Sequence, residues 1–269
     1  MNRTSAVIVT YNPDLEHLDY FVRKISPLVN DVIIVDNTDD GRLAINGLNN
    51  LHLIMNGLNK GIAFAQNQGV IKSIELKSEF VFLFDQDSDV DLDFFERMEK
   101  TYLDNNDLKI SCIGANYDSD IYDGIDKENF IIASGSMYST SIFTLVGLFD
   151  SSYFIDLVDV EWCYRAKKYG YESYVNRSIK MYHNIGDNNY PKLFGKIVRI
   201  GSPIRQYYLV RNWIFSLSSS SFRFNDKIKI FILMLYKIPL FCLCHPRRKR
   251  MLNILKGIFD GCLKKTKWK

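Results

Sequence analysis

Apolar residues in the first third of the chain form short continuous runs that alternate with longer amphipathic stretches. The runs predict four buried strands, at residues 5–10, 31–36, 52–55 and 80–84. The stretches at 15–29 and 61–74 have helical spacing. Because apolar strands that alternate with helices are typical of a sheet covered on both sides, we predict an α/β fold with a mostly parallel central sheet and helices on both faces.

The second half of the chain is less regular. Strands are predicted at residues 109–114, 130–133 and 179–182, and a helix at 160–169. From about Ser216 the character changes, because a serine-rich run precedes a strongly apolar stretch and then a basic end. We therefore predict one domain over residues 1–215 and a helical, basic C-terminal region over residues 216–269.

The composition is that of a globular protein. With 269 residues and 47% hydrophobic side chains, the chain can bury one substantial core. Its five cysteines include no Cys-x-x-Cys pair, which disfavours both a disulfide framework and a structural zinc site. The N-terminus leads directly into an apolar strand without the features of a signal peptide. We expect a cytoplasmic protein with free thiols and no nucleic-acid partner.

Charge is unevenly distributed along the chain. Residues 245–269 contain nine Lys or Arg and one Asp, a charge of +8, while the remainder carries 25 basic and 30 acidic side chains, a charge of −5. The net charge of +3 hides this difference. A basic end on an acidic body predicts an anionic partner for the end alone.

The same end carries the pattern of a membrane-surface helix. The apolar stretch 228–244 is 17 residues long, includes Lys229, Lys237 and Pro239, and is shorter than the roughly 20 residues needed to span a bilayer. Beyond it, apolar residues recur at helical spacing: Met251, Ile254, Leu255, Ile258 and Phe259. Such a helix is typical of a membrane interface, and packing on the body is the alternative. We expect a peripheral protein on the inner face of the cell membrane.

Two carboxylates follow the strand predicted at 80–84. Asp85 and Asp87 are two residues apart, so their side chains point to the same side. Open α/β sheets bind ligands beyond the carboxyl ends of their strands, where Tyr11 and Asp36 would join them. Hard divalent ions favour carboxylate oxygens. Solvated loop acids would give the same pattern, but the position at a strand end favours a metal site.

Further acids surround the start of the helix predicted at 160–169. Asp159 lies at that start, where a carboxylate could cap the helix or act as general base for an acceptor hydroxyl. Glu161 and Arg165 are i, i+4 neighbours and would pair on a helix, which is a structural role.

His183 and Lys60 complete the polar candidates. His183 ends the strand predicted at 179–182 and is the best third metal ligand, although a single His is more often only hydrogen-bonded. The segment Asn59-Lys60-Gly61 opens a helix, so helix-end amides and Lys60 could approach a nucleotide diphosphate. Ordinary capping is the alternative.

In their order along the chain these motifs resemble glycosyltransferase family 2, the inverting enzymes of GT-A fold, over about residues 5–213. The matching segments are 7–12, Asp36-Asn37, Asn59-Lys60-Gly61 with Asn67, and Asp85-Gln86-Asp87-Ser88. The last of these resembles the metal motif of rhamnosyltransferases in O-antigen and capsule gene sets. Segments 154–165 and 205–212 are similar to the same subgroup.

The resemblance implies a role for each candidate. Donor binding falls to Thr10, Tyr11, Asp36, Lys60 and Asp85. The metal, Mn²⁺ or Mg²⁺, falls to Asp85, Asp87 and His183. The acceptor side falls to Gly135, Ser136, Glu161 and Trp162. Asp159 is the catalytic base, but many members carry Glu-Asp where this chain has Val158-Asp159, so Asp156 or Glu161 could hold that role instead.

By this resemblance the chain moves a sugar, with inversion, from a nucleotide-diphosphate sugar to a lipid-linked saccharide in O-antigen, capsule or cell-wall polysaccharide synthesis. dTDP-L-rhamnose is the favoured donor, and UDP-hexose or UDP-galactofuranose are the alternatives. A nucleotidyltransferase would begin with a Gly-rich loop where this chain has Tyr11-Asn12-Pro13-Asp14. A non-enzymatic membrane-bound scaffold, which would bind no nucleotide, is the remaining alternative.

Overall fold

An eight-stranded sheet forms the centre of the protein, seen in a computed structural model that describes residues 2–39, 41, 43–118, 120–183, 192–193, 196–198 and 200–265. The strands in chain order are β1 (Thr4–Thr10), β2 (Asp31–Asp36), β3 (Leu51–Met55), β4 (Phe80–Asp85), β5 (Ser88–Asp89), β6 (Ile110–Asn116), β7 (Ile125–Glu128), β8 (Ser136–Ser139), β9 (Glu172–Lys180), β10 (Tyr182–His183), β11 (Lys192–Leu193) and β12 (Lys196–Ile197). The short strands β5 and β10 pair with each other, as do β11 and β12.

The order of the central sheet is β3-β2-β1-β4-β8-β6-β9-β7. Neighbours pair in parallel from β3 to β4 and between β6 and β9, whereas β8 and β7 run antiparallel to their neighbours. Because β8 separates β4 from β6, those two strands point the same way. The carboxyl ends of β1, β2, β4 and β6 therefore meet at one edge, and the predicted mostly parallel sheet is confirmed.

Helices cover both faces of this sheet, as the sequence predicts. They are α1 (Leu15–Ile25), α2 (Ile62–Glu75), α3 (Phe94–Asp104), α4 (Thr140–Val146), α5 (Val158–Lys168), α6 (Pro203–Ser218), α7 (Phe224–Leu243) and α8 (Arg247–Cys262), with 3-10 turns at Ser26–Leu28 and Ser151–Tyr153. Successive strand residues serve opposite faces. Val7 packs in one core with α2, α4 and α5, and Ile8 in the other with α1 and α3.

Helix α2 approaches the sheet closely at Gly69. A Cβ atom at this position would come within 2.1 Å of the Val7 side chain. The absent side chain therefore lets the helix sit directly on β1. This contact places the start of α2, which follows Gly61, beside the edge where the strands end.

One predicted strand is wrong. Residues 130–133 form no strand, and the chain there passes into a turn at Gly135, whose φ of +69° is in the left-handed region. Ile131 is buried against Gly114 of β6, which accounts for the apolar sequence without any pairing. The strand predicted at 179–182 is also different, since it includes the end of the longer β9.

The C-terminal helices form a small core of their own, in which α6 packs against both α7 and α8. A Cβ at Gly257 of α8 would come within 2.6 Å of the Tyr207 carbonyl oxygen, so this glycine allows α8 to lie against α6. The expected boundary between residues 215 and 216 falls in the last turn of α6. No helix in the described ranges is long and apolar enough to cross a membrane.

Candidate active site

A cleft of about 640 Å³ lies at the edge where the parallel strands end. Its walls come from the ends of β1, β2 and β4, the start of α2, the loop before β8, the loop before α5 and one residue of α6. Polar side chains that line it are Thr10, Tyr11, Asn37, Asn59, Gln66, Asp85, Gln86, Asp87, Ser134, Asp156, Asp159 and Arg205. The structure thus brings together both groups of carboxylates that the sequence singles out.

The ends of β1 and β2 are joined around Asp36. Its Oδ1 accepts hydrogen bonds from the Thr10 hydroxyl at 2.7 Å and the Thr38 hydroxyl at 2.8 Å. Asp36 is buried behind the wall, and Thr10 and the half-exposed Tyr11 reach the cleft. The Tyr11 backbone N–H donates to Gln86 Oε1 at 2.7 Å. The Gln between the two acids therefore ties the end of β4 to the end of β1.

Asp85 and Asp87 line the cleft at the end of β4. The backbone N–H of Asp85 donates to the Ser134 hydroxyl at 3.0 Å, and the hydroxyls of Ser134 and Ser88 are 3.1 Å apart. Two strand-end carboxylates beside a cleft of this size supply the hard oxygen ligands that Mg²⁺ and Mn²⁺ prefer. The donor set therefore fits a divalent cation.

The backbone of His183 lies near these acids, because β10 pairs with β5 and places His183 opposite Ser88. The His183 side chain is outside the described residues. Among the side chains that are described, no three His, Cys, Asp or Glu residues form a group that could hold a metal ion.

Asp159, in the first turn of α5, faces the same cleft. Its Oδ1 accepts the Val160 backbone N–H at 2.8 Å and its Oδ2 accepts that of Ala133 at 3.3 Å. Burial raises the pKa of Asp159 to about 6, since removal from water disfavours the ionised form more than these hydrogen bonds favour it. A carboxylate with this pKa can take up a proton near neutral pH, as a general base must.

The loop that leads into α5 has an unusual backbone. Phe154, Asp156 and Leu157 have φ values of +60°, +64° and +62°, although none of them is glycine. Each residue in the left-handed region is destabilised by about 1–2 kcal/mol, so contacts from elsewhere must hold this conformation.

Those contacts come from α6 and α2. The Asn212 side-chain amide donates to the carbonyl oxygens of Tyr153, Ile155 and Asp156 at 2.8, 2.7 and 2.8 Å. Arg211 donates to Ser152 O at 2.7 Å and Tyr153 O at 3.1 Å. The Ile62 N–H donates to Phe154 O at 2.7 Å. Helix α6 therefore fixes the loop that positions Asp159.

The two alternatives for the base have other partners. Asp156 lines the cleft in an ion pair with Arg205, whose Nη2 is 2.8 Å from its Oδ1. Glu161 is buried, 3.0 Å from Arg165 Nη2, and accepts the Ser221 hydroxyl at 2.7 Å. The predicted Glu161–Arg165 pair is confirmed. Trp162 is buried in the core, where its Nε1 donates to Gly147 O. Neither Glu161 nor Trp162 lines the cleft, in contrast to their expected acceptor contacts.

Three other expected residues, Gly135, Ser136 and Lys60, do not line the cleft. Gly135 makes the turn into β8, and the buried Ser136 hydroxyl donates to Ile132 O. Their neighbour Ser134 lines the cleft instead. Lys60 lies over the Phe64 ring, with Nζ 5.0 Å from the ring centre, while Asn59 and Gly61 on either side line the cleft.

Sequence reasoning missed Tyr117 and Gln66. Tyr117 donates to Ser134 O at 2.7 Å, and its pKa is raised by burial and by the charges of Asp85, Asp87 and Asp159. It directly follows β6, so its place at a strand end was a usable signal. Gln66 lines the cleft, and its buried Oε1 has no partner in the described part of the chain. A ligand donor would satisfy it.

Known proteins are similar to this chain in sequence and in fold. The chain is 36% identical over 230 residues to the dTDP-rhamnosyl transferase RfbF of Shigella flexneri, with 77% of each chain covered. Its fold resembles that of S. aureus TarS 1-349, with a TM-score of 0.59 and 12% identity over 96% of this chain and 80% of that one. It also resembles GalNAc-T7 crystallised with UDP, GalNAc and Mn²⁺, with a TM-score of 0.56 and 10% identity over 98% of this chain and 56% of that one.

No family model matches the chain. The likeness to the solved structures confirms the GT-A fold that the motif order predicts. The extent and identity of the match to RfbF decide the family. The chain belongs to the family of this dTDP-rhamnosyl transferase and is a glycosyltransferase.

Proposed function

We propose that the chain transfers L-rhamnose from dTDP-L-rhamnose to a saccharide hydroxyl with inversion at the anomeric carbon. One observation carries the proposal: a single cleft joins the acids at the end of β4 to Asp159 at the start of α5, in a chain 36% identical to a dTDP-rhamnosyl transferase. The first group can face the diphosphate of a donor, and the second can face an acceptor hydroxyl.

The donor would lie along the strand ends. Thr10 and Tyr11 at the end of β1, with Asp36 behind them, would contact the nucleoside. The diphosphate would then extend toward Asp85 and Asp87, with Asn59 and Gly61 at the start of α2 beside it. Gln66 is a further donor contact in this arrangement, because its unpartnered Oε1 can accept a hydrogen bond from the ligand.

A divalent cation would be held by Asp85, Asp87 and His183, and it would supply positive charge opposite the leaving diphosphate. Mn²⁺ and Mg²⁺ both suit the oxygen ligands. The proposal is supported by the two cleft-lining carboxylates and by the backbone position of His183 opposite Ser88. It is also supported by the Mn²⁺ in the GalNAc-T7 structure.

Asp159 would act as the general base. As the acceptor oxygen forms its bond to the anomeric carbon, the proton of that hydroxyl passes to the Asp159 carboxylate, and dTDP leaves from the opposite side. A single displacement of this kind inverts the anomeric centre. Arg205 pairs with Asp156 at the side of the cleft, which favours Asp159 over Asp156 as the base.

The proposed acceptor is a lipid-linked saccharide on the inner face of the cell membrane, in the synthesis of O-antigen, capsule or cell-wall polysaccharide. The support is the uneven charge of the chain and the exposed apolar residues of α7 and α8. A lipid-linked acceptor would require the cleft to work close to a membrane surface.

A donor screen tests the proposal. The purified chain with Mn²⁺ and a saccharide acceptor would be given dTDP-L-rhamnose, UDP-glucose, UDP-galactose or UDP-galactofuranose, and nucleotide release and sugar transfer would be followed by mass spectrometry. We expect turnover with dTDP-L-rhamnose at least about tenfold above the others, because a site that bonds specific polar groups of its substrate rejects analogues that lack them. A clear preference for a UDP-sugar would change the proposed donor, and the chain would still be a glycosyltransferase.

A further inference from the structure

Helix α7 presents two apolar faces, and the residues that the structure describes cover only one of them. The inner face packs against α6 and α8 through Ile230, Met234, Ile238 and Phe241. Met234 and Phe241 are the only buried residues among its 20. A helix that is apolar on both sides normally has a partner on both sides. The uncovered side of α7 therefore requires an explanation.

The outer face of α7 is a continuous apolar strip. Ile228, Phe231, Ile232 and Leu235 follow one another at spacings of three, one and three residues, which places them on one side of the helix. All four side chains are exposed, with Phe231 52% and Leu235 62% accessible to water. Leu252, Leu255 and Phe259 of the neighbouring α8 are exposed as well.

The strip is surrounded by positive charge. Residues 216–269 carry thirteen Lys or Arg and two Asp, a charge of +11, while residues 1–215 carry 21 basic and 29 acidic side chains, a charge of −8. On α7 itself Lys227 and Lys229 flank the strip on its two sides, whereas Lys237 lies on the opposite side of the helix. The exposed Arg247, Arg248 and Lys249 begin α8. This sign of charge suits an anionic partner and opposes contact with a second copy of the same surface.

The amino end of α7 adds a basic cavity to this surface. Lys167, Lys168, Arg223 and Lys229 line a space of about 200 Å³ together with one acid, Asp226. The cavity lies on the helix that carries the apolar strip, so anionic groups could be held beside an inserted apolar face. Apolar insertion combined with surrounding cations is the recognition pattern of an anionic membrane surface.

We propose that the outer face of α7 docks onto the surface of an anionic phospholipid bilayer. The inference deepens the proposed membrane location and is independent of the donor sugar. The proposed membrane contact is centred on α7, whereas the sequence favours the basic end at residues 245–269. Ile254 of α8 is buried in the core that it shares with α6 and α7, and the buried Gly257 lies against Tyr207 of α6, so only part of the expected apolar face of α8 is available.

The test is vesicle co-sedimentation of the full chain. Vesicles of equal parts phosphatidylglycerol and phosphatidylcholine are compared with vesicles of phosphatidylcholine alone, for the unaltered chain and for Phe231→Glu/Leu235→Glu. The matched control is Leu92→Glu/Leu145→Glu, because these leucines are 67% and 47% exposed on the catalytic body. All four side chains are already in contact with water, so neither variant disturbs a core.

We expect binding to the anionic vesicles that is at least about tenfold tighter than to phosphatidylcholine and that weakens with salt. The α7 variant should lose at least about tenfold in that binding while the control keeps it. Equal binding by the α7 variant and the unaltered chain would overturn the proposal. So would a dimer in solution that the α7 variant abolishes, since a second copy would then cover the face.

The outcome for docking is separable from the outcome for sugar transfer. Calorimetric titration with dTDP and Mn²⁺ is run on the same three proteins. Unchanged dTDP affinity with lost vesicle binding supports the docking surface. Absent dTDP binding in all three would contradict the proposed transferase function and leave the vesicle result to decide the docking surface alone.

Discussion

The two walls of the cleft are built in different ways. On the donor side, Thr10, Asp36 and Asp85 end strands whose hydrogen-bonded ladders fix their positions. On the opposite side, Asp159 follows a loop with three left-handed non-glycine residues. Within the described part of the chain that loop pairs with no strand, and side chains of α6, chiefly Asn212, hold it.

The two walls differ in backbone strain and in the desolvation of their carboxylates. At Thr10, Asp36 and Asp85 the strand-end wall needs no local strain, because these residues belong to the regular sheet; Asn12, two residues beyond β1, is its one non-glycine residue with a positive φ among those described, at +47°. The loop wall holds a strained backbone and a desolvated carboxylate together, and both conditions are typical of a catalytic residue. A change at the strand ends should therefore affect binding, whereas a change in the loop or its supports should affect turnover.

The largest effect is expected for Asp159→Asn. Removing the base should lower kcat by about 10²–10⁴-fold while the affinity for dTDP with Mn²⁺ stays within about twofold. The melting temperature at pH 8 should not fall, because burial destabilises the ionised carboxylate that the amide replaces. Asp93→Asn at the start of α3, outside the cleft, is the control. Near-normal turnover would return the base role to Asp156.

Asp87→Asn is expected to lose a comparable amount of activity, but the loss should come from weaker dTDP binding. The strand-end wall would lose a metal ligand, so the affinity for dTDP should become insensitive to Mn²⁺ and fall by about tenfold or more. Isothermal titration with and without Mn²⁺ measures this. A Mn²⁺ response like that of the unaltered chain would show that Asp87 does not hold the ion.

The support of the loop wall is tested by Asn212→Ala. The carbonyl oxygens of Ile155 and Asp156 would lose the Asn212 amide, and Tyr153 O would keep only its other donors. The loop should therefore relax, with kcat falling about 10–100-fold and KM for the donor changing little. Asn50→Ala is a matched control, because its amide bridges Ser26 O and Val29 O at the opposite end of the sheet. Equal kcat values for Asn212→Ala and the control would mean that α6 does not position the base.

The smallest effect concerns pH. The base must be ionised, and its pKa in the free protein is about 6. The value of kcat/KM should therefore be constant above pH 7 and fall about tenfold per pH unit well below pH 6. Initial rates at acceptor concentrations well below KM across pH 5–8.5 measure this. A profile flat down to pH 5 would remove Asp159 from the proton transfer.

The two walls also differ in how far the sequence predicts them. Strand ends can be read from apolar runs, and this rule predicts that Tyr11, Asp36 and Asp85 lie at one edge, with Asp87 two residues further on. Thr10 enters only through the family resemblance. Tyr117 also lies at a strand end and is open to the same rule. The loop wall could not, because positive φ at non-glycine residues leaves no signature in sequence. The bonds from Asn212 to Ile155 and Asp156 join positions more than fifty residues apart.

The ambiguity among Asp156, Asp159 and Glu161 has a similar cause. All three are acids within six positions, and helical spacing explains only that Glu161 meets Arg165. The structure separates them by direction, since Glu161 points to Ser221 and Arg165 while Asp159 faces the cleft. The exposed strip of α7 was likewise hidden, because an apolar sequence does not tell which face the body covers.

The anomeric configuration of the product is the most direct test of the proposed single displacement. The chain would be supplied with dTDP-β-L-rhamnose, Mn²⁺ and a saccharide acceptor, and the new linkage would be assigned by NMR from its one-bond carbon–proton coupling. A single displacement assisted by Asp159 predicts an α-linked rhamnosyl product. A β-linked product would show retention and would contradict the proposed role of Asp159.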